Sequence, residues 1–380
     1  MPGFTRLAGG VLLALAMLIA GAPAQAATAT AAPAWQQTDP PRPDYQSLNA
    51  PQIRAFSGDS AVMTALYFEP VDCDWVCPFS YLSWRWNGTT WTSTPRPPLT
   101  SYIGGYVALS PTDQWAFDTG AGGAFRTHRY NGAAWTTTTV PSVKFDPSGA
   151  AAAGPDDIWV AGTGQFGTAY KPAIARWNGS TWTVTALPAA AAAGGVEIND
   201  IHVAARNEVW VIGDRTSNYT DYQLYAARWN GSTWSEVKTG TGYGRATPVP
   251  AAAVTGTPGD IWITGTDPVT GCGLTLRWNG SSFARQNLCQ ASAVSTITRY
   301  GGDWVIGLAP PRTGTAPDGA LRRWTGSTWQ PITGPHPRTT EVTHLAADPA
   351  GGALWAFSRG TDAAGNRTLP ELWRLTGPLS

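Results

Sequence analysis

Asp200 and His202 stand two residues apart in the stretch Glu197-Ile198-Asn199-Asp200-Ile201-His202. Side chains two apart on a strand share a face, so the pair could serve as general acid and base, or as half a metal site. Glu197, Asn199 and Glu341 stand at the starts of their strands and join them as candidates, with His344 three residues past Glu341. No nucleophile-bearing motif accompanies these residues, so a buried, hydrogen-bonded structural role competes with catalysis. Cys73 and Cys77 have a metal-like spacing, but two more ligands are not near them in the sequence. We therefore expect neither a metal site nor a cofactor.

The cysteines read better as disulfides of an exported chain. Cys272 and Cys289 are symmetric about the turn after Trp278: if Trp278 faces Phe283 across a four-residue loop, Cys272 faces Cys289 as well. Cys73 and Cys77 flank Asp74-Trp75-Val76, where an extended strand would hold them apart, so bridging them requires a local bend.

Export is expected from the N-terminus. Arg6, the apolar run Leu7 to Ala20 and the small residues ending Ala24-Gln25-Ala26 form a secretory signal, cleaved near Ala26. Residues 1–26 are then signal peptide, 27–33 a disordered N-terminus and 34–380 one domain. A lipid-anchoring Cys, a twin-arginine pair and a second apolar run long enough to span a bilayer are lacking, so the mature protein is expected to be secreted and free of the membrane. With 25 basic and 25 acidic residues, the chain has no charge surplus to attract nucleic acid.

The elements that must position any site come from a repeated turn. Arg85, Arg129, Arg176, Arg228, Arg277, Arg323 and Arg374 each open a unit such as Arg-Trp-Asn-Gly, at intervals of 44 to 52 residues. Asn-Gly favours the positive φ of a hairpin turn, and its β-branched and aromatic flanks suit strands. A second aromatic precedes each turn (Trp75, Trp115, Trp159, Trp210, Trp262, Trp304, Trp355), and a third follows it (Trp91, Trp135, Trp182, Trp234, Phe283, Trp329). Innermost strands are expected at Ser60 to Phe68, Tyr102 to Leu109, Ala150 to Gly154, Val196 to Ala204, Ala251 to Thr255, Ala293 to Tyr300 and Glu341 to Ala347. The last unit lacks its outer strand, and Trp35-Gln36-Gln37-Thr38, which has the cadence of the other outer strands, is expected to supply it. Regular placement makes most of the 20 Trp packing residues rather than sugar platforms. The turn arginines lie beside Asp113, Asp157, Glu208, Asp260 or Asp303 and are expected to form ion pairs.

From Ala34 to Ser380 the chain resembles the seven-bladed β-propellers: all-β, with four-stranded blades and a ring closed by the strand near Trp35. The glycine pair of kelch repeats, the Trp-Asp signature of WD40 blades and the acid of sialidase-type Asp-boxes are not matched. In such a ring the loops from second to third strand and the links between blades share the face opposite the Asn-Gly turns. That variable face is the default binding site. Its densest aromatic and polar group is Tyr170, Lys171, Arg215, Tyr219 and Tyr222. The resemblance implies a secreted, monomeric protein that recognises a glycan, peptide or protein through these loops. The alternative is an extracellular polysaccharide hydrolase or lyase with carboxylates at the channel mouth.

Overall fold

The Asn-Gly turns form four-residue loops, not two-residue ones. Trp177 pairs with Trp182 across Asn178-Gly179-Ser180-Thr181. Gly179 takes φ +93°, a conformation that side chains disfavour. Asn178 Oδ1 accepts hydrogen bonds from the backbone N–H of Ser180 at 3.0 Å and of Thr181 at 2.9 Å. The side chain thus does the work of a backbone acceptor in the turn. Asn87, Asn131, Asn230 and Asn279 repeat the arrangement.

A computed structural model of the chain describes residues 34–41, 48–68, 79–188, 195–216, 222–237, 253–267, 269–311, 319–335, 338–361 and 368–379. Among them there is no α-helix, only one turn of 3₁₀ helix at Ala121–Gly123, and no helix is long and apolar enough to cross a membrane. The strands build antiparallel sheets. In one, Asn49–Ser57, Ser60–Phe68, Phe79–Trp86 and Trp91–Thr94 follow one another. The same order holds in the sheets running from Val196–Ala205 to Trp234–Glu236, from Ala253–Thr257 to Phe283–Leu288, and from Ala293–Tyr300 to Trp329–Pro331. Between them lies a seven-stranded sheet. Its long strand Trp135–Gly154 pairs through one end with Ala124–Tyr130 and through the other with Asp157–Phe166.

The remaining sheet joins the two ends of the chain. Thr339–Ala347, Leu354–Gly360 and Glu371–Thr376 receive Ala34–Gln37 as their fourth strand, with Trp35 opposite Leu375. The innermost strand of each sheet contacts that of the next, and Thr339–Ala347 contacts Asn49–Ser57 to complete the circle. Closure gives Glu371–Thr376 a partner strand and leaves only short edges turned toward the axis or the rim.

Tryptophans fill the space between neighbouring sheets. Trp159 is buried, with Trp229 and Trp234 of the next sheet at 5.6 and 5.9 Å between ring centroids. Trp262 meets Trp324 and Trp329 at 5.1 and 5.2 Å in the same way. The turn arginines are part of this packing. Arg176 bonds Asp157 at 2.9 Å and lies 4.2 Å over the Trp159 ring, so one guanidinium serves an ion pair and a cation–π contact. Arg129–Asp113, Arg228–Glu208 and Arg277–Asp260 follow the same plan at 3.0, 3.2 and 2.7 Å.

The first unit departs from the expected frame. Asn49–Ser57, not Ser60–Phe68, is its innermost strand, and Ser60–Phe68 is the second. The tight turn at Gly58-Asp59 joins them, and Ser60–Phe68 is apolar and almost wholly buried, as a strand covered on both faces must be. Val62, opposite Arg85, therefore holds the place that Trp115 holds opposite Arg129. Trp75, Cys73 and Cys77 lie outside the described residues. The Cys272–Cys289 bridge is present, with Cα atoms 4.3 Å apart, flanking the Trp278–Phe283 pair.

Candidate functional site

The chain runs from the inside of each sheet outward, so consecutive connections alternate between the two faces of the ring. The face with the Asn-Gly turns satisfies itself, because its amides bond to Asn side chains and its arginines to carboxylates. The opposite face is built differently. Four large hydrophobic side chains are markedly exposed among the described residues: Val269 at 76%, Tyr170 at 70%, Tyr102 at 58% and Leu369 at 45%. Tyr170, Val269 and Leu369 stand at second-to-third strand connections, and Tyr102 on the link between two sheets. All four belong to this one face.

Of the residues expected to bind there, Tyr170 and Lys171 are exposed, on a hairpin where they pair with Gln165 and Gly164. Arg215 is committed elsewhere. It bonds Glu236 at 2.9 Å and lies 5.6 Å over the Tyr225 ring, with its side chain 18% exposed. The backbone of Tyr222 pairs with Thr216, and Tyr219 lies outside the described residues. The sequence reading missed Tyr102, which stacks on Phe79 at 4.7 Å with ring planes 8° apart. The innermost strand expected to begin at Tyr102 begins at Gly105 instead, which leaves Tyr102 in the link ahead of it. The reading also missed Asp267, the anchor of the loop that carries Val269. Burial pushes the Asp267 pKa up, but donors from Thr270, Val269, Arg285 and Asn287 outweigh it and hold the carboxyl at about 2. With the nearby disulfide, this network fixes the loop.

The candidate catalytic residues do not form one group. A bulge between Ile198 and Asp200 leaves Asn199 outside the ladder, where its Nδ2 donates to Asp214 at 2.9 Å. Asp200 and His202 do share a side, and both reach the backbone of the next innermost strand, Ala253–Thr257. Asp200 Oδ2 accepts from Val254 N at 2.8 Å, and His202 Nε2 lies 2.9 Å from Gly256 O and 3.1 Å from Gly256 N. Two side chains thereby stand in for a missing neighbouring strand and tie one sheet to the next. Thr296 does the same further round, where its Oγ1 accepts from Leu345 N at 3.1 Å. Glu197 is exposed opposite Asp214, and Glu341 is half-buried opposite Arg359 in another sheet. Of the four, His202 lines the axial cavity of about 610 Å³, whereas Glu197, Asp200 and Glu341 do not. No group of three His, Cys, Asp or Glu side chains arranged to hold a metal occurs among the described residues.

No protein-family model matches the chain, and no curated protein sequence does either. Among solved structures it is similar to the β-propeller domain of the Trilobed protease from Pyrococcus furiosus, with a TM-score of 0.53 at 9% identity, over 88% of this chain and 97% of that one. It is also similar to a protein of unknown function from Dyadobacter fermentans, with a TM-score of 0.50 at 11% identity, over 90% of this chain and 99% of that one. The fold is an all-β propeller. At these identities the likeness reports fold alone, and propellers host many functions.

Titratable groups inside this propeller make its stability depend on pH. Burial lowers His344 and His202 to about 4 and raises Asp200 to about 7. For each histidine the folded pKa lies below the unfolded one, so its contribution is complete above about pH 6.5 and is lost as pH falls toward 4. Asp200 acts oppositely: its contribution is complete below about pH 4 and is lost as pH rises toward 7. Two histidines against one aspartate leave a net loss on acidification. His344→Gln is therefore expected to flatten the stability difference between pH 7 and pH 4.5 by about 2 kcal/mol in urea denaturation. An unchanged difference would show that His344 protonates alike in both states.

Proposed function

We propose that the protein is a secreted binding propeller that recognises a glycan, peptide or protein through the face opposite its Asn-Gly turns. The observation that carries this reading is the segregation of Tyr102, Tyr170, Val269 and Leu369 to that face. Exposed tyrosines offer an apolar plane and a polar tip, the chemistry on which sugar rings and peptide side chains stack. The fixed Asp267 loop adds preorganisation, which lowers the cost of ordering on binding.

The ring is read as seven-bladed. The strand Trp135–Gly154 then serves as the outermost strand of one blade and the innermost of the next, and the seven-stranded sheet counts as two blades. Residues 1–26 are read as a signal peptide, with which the Cys272–Cys289 bridge agrees, since disulfides persist in oxidising compartments. The hydrolase or lyase alternative draws no support from Asp200 and His202, whose described bonds run to backbone groups.

The test is a glycan and peptide array probed with the mature protein and with the double variant Tyr102→Ser, Tyr170→Ser. Both side chains are exposed, so the variant should fold normally. Wild-type binding that falls at least about tenfold in the variant is the expected result, since a tyrosine at the hot spot of an interface costs about 2 kcal/mol or more when truncated and about 1.4 kcal/mol is tenfold. No binding by the wild type, or equal binding by both, contradicts the reading.

A further inference from the structure

The cavity on the propeller axis is lined by the innermost strands, and its charge is one-sided. Among the described residues its ionisable lining consists of Arg54, Tyr106 and His202, with no carboxylate. Tyr106 donates its hydroxyl hydrogen to Gln114 at 2.6 Å, and burial keeps His202 neutral near pH 7. The positive charge of the cavity is therefore that of Arg54.

Arg54 has a definite orientation. Gln52, Ile53 and Arg54 pair in unbroken register with Thr64, Met63 and Val62, so Gln52 and Arg54 lie on one side of their strand and Ile53 on the other. All three line the cavity, but Ile53 packs against the hydrophobic core whereas Gln52 and Arg54 are exposed. The surface that Arg54 exposes thus faces a walled space and not open solvent, and the loss of bulk water lowers its pKa. Several other arginines of the ring meet carboxylates: Arg176 meets Asp157, Arg215 meets Glu236 and Arg285 meets Asp267. No ion pair holds Arg54 among the described residues.

We propose that the axial cavity is an anion site, where the Arg54 guanidinium, with the Gln52 amide beside it, holds a small oxyanion: a carboxylate, sulfate or phosphate. A guanidinium matches two oxygens of such a group at once, and low-dielectric walls strengthen the attraction. The site is separate from the exposed hydrophobic face and stands whether or not that face binds a ligand.

Titration calorimetry at constant ionic strength, with sodium phosphate, sodium sulfate and sodium glucuronate in turn, tests the proposal. The wild type is expected to bind at least one of the three, and Arg54→Gln to weaken that binding by about tenfold or more. Tighter binding of glucuronate would identify the carboxylate of an acidic sugar as the occupant, and tighter binding of phosphate or sulfate an inorganic anion. A second measurement needs no variant. Phenylglyoxal modification of Arg54, followed by peptide mass analysis, should slow when the bound anion is present. Failure of all three anions to bind, equal affinity in wild type and variant, or unprotected modification of Arg54 overturns the proposal.

Discussion

A chain that begins at Arg42 is expected to melt roughly 7 °C below one that begins at Ala34. The deleted segment supplies the strand Ala34–Gln37 and, through its flank, several bonds to the C-terminal sheet. Thr38 N donates to Leu372 O at 2.8 Å, and Leu372 N donates to Asp39 Oδ1 at 2.8 Å. Trp35 Nε1 donates to Thr333 O at 3.1 Å, just past the outer strand of the neighbouring sheet, and Trp84 Nε1 to Pro41 O at 3.0 Å. With each net hydrogen bond contributing about 1 kcal/mol and the Trp35 contacts adding to them, the loss is on the order of 5 kcal/mol. With an unfolding entropy of about 2.1 cal/mol/K per residue, that corresponds to roughly 7 °C for a domain of this size. The deletion also bares the edge of Glu371–Thr376, so aggregation should accompany it. Calorimetry of the two chains decides, and an unchanged melting profile would mean that the N-terminal strand does not close the ring.

The second large effect is expected at the same seam. Trp355 is fully buried where the last sheet meets the first, with Trp86 and Trp91 each at 5.2 Å and Arg374 5.6 Å over its ring. Trp355→Ala should cost about 3–5 kcal/mol, through lost apolar contact and the cavity left between sheets that share a rigid ring. The Trp edge contacts beyond area burial contribute to the upper figure. Denaturant titration measures it. A loss below about 1 kcal/mol would show that the sheets collapse to refill the gap.

Much of the architecture could be read locally. An Asn-Gly turn dictates its own hairpin, and in the units where a carboxylate opens the preceding strand, register carries the turn arginine to it, so Arg176–Asp157, Arg129–Asp113, Arg228–Glu208 and Arg277–Asp260 were readable before any fold was known. The same logic placed Cys272 opposite Cys289. The first unit was misread because Trp75 resembles the repeat aromatic, whereas the residue in that place is Val62, which carries no such mark. That error hid Asn49–Ser57 as the innermost strand, and with it Arg54 in the channel. The site was less readable because exposure is a property of the assembled ring. That Asp200 and His202 share a side follows from a two-residue spacing, but their partners Val254 and Gly256 are 54 residues away and on another sheet. Arg215 looked available until Glu236 and Tyr225 were brought to it, while Tyr102 lay in a link that no repeat marks.

The central claim is that ligand recognition belongs to the face opposite the Asn-Gly turns. Hydrogen exchange by mass spectrometry, run on the chain from Ala34 with and without the ligand captured on the array, tests it most directly. Slowed exchange is expected in the segments around Tyr102, Tyr170, Val269 and Leu369, with the turns after Trp86, Trp177 and Trp229 unaffected. Protection confined to those turns, with the four segments unchanged, would contradict it.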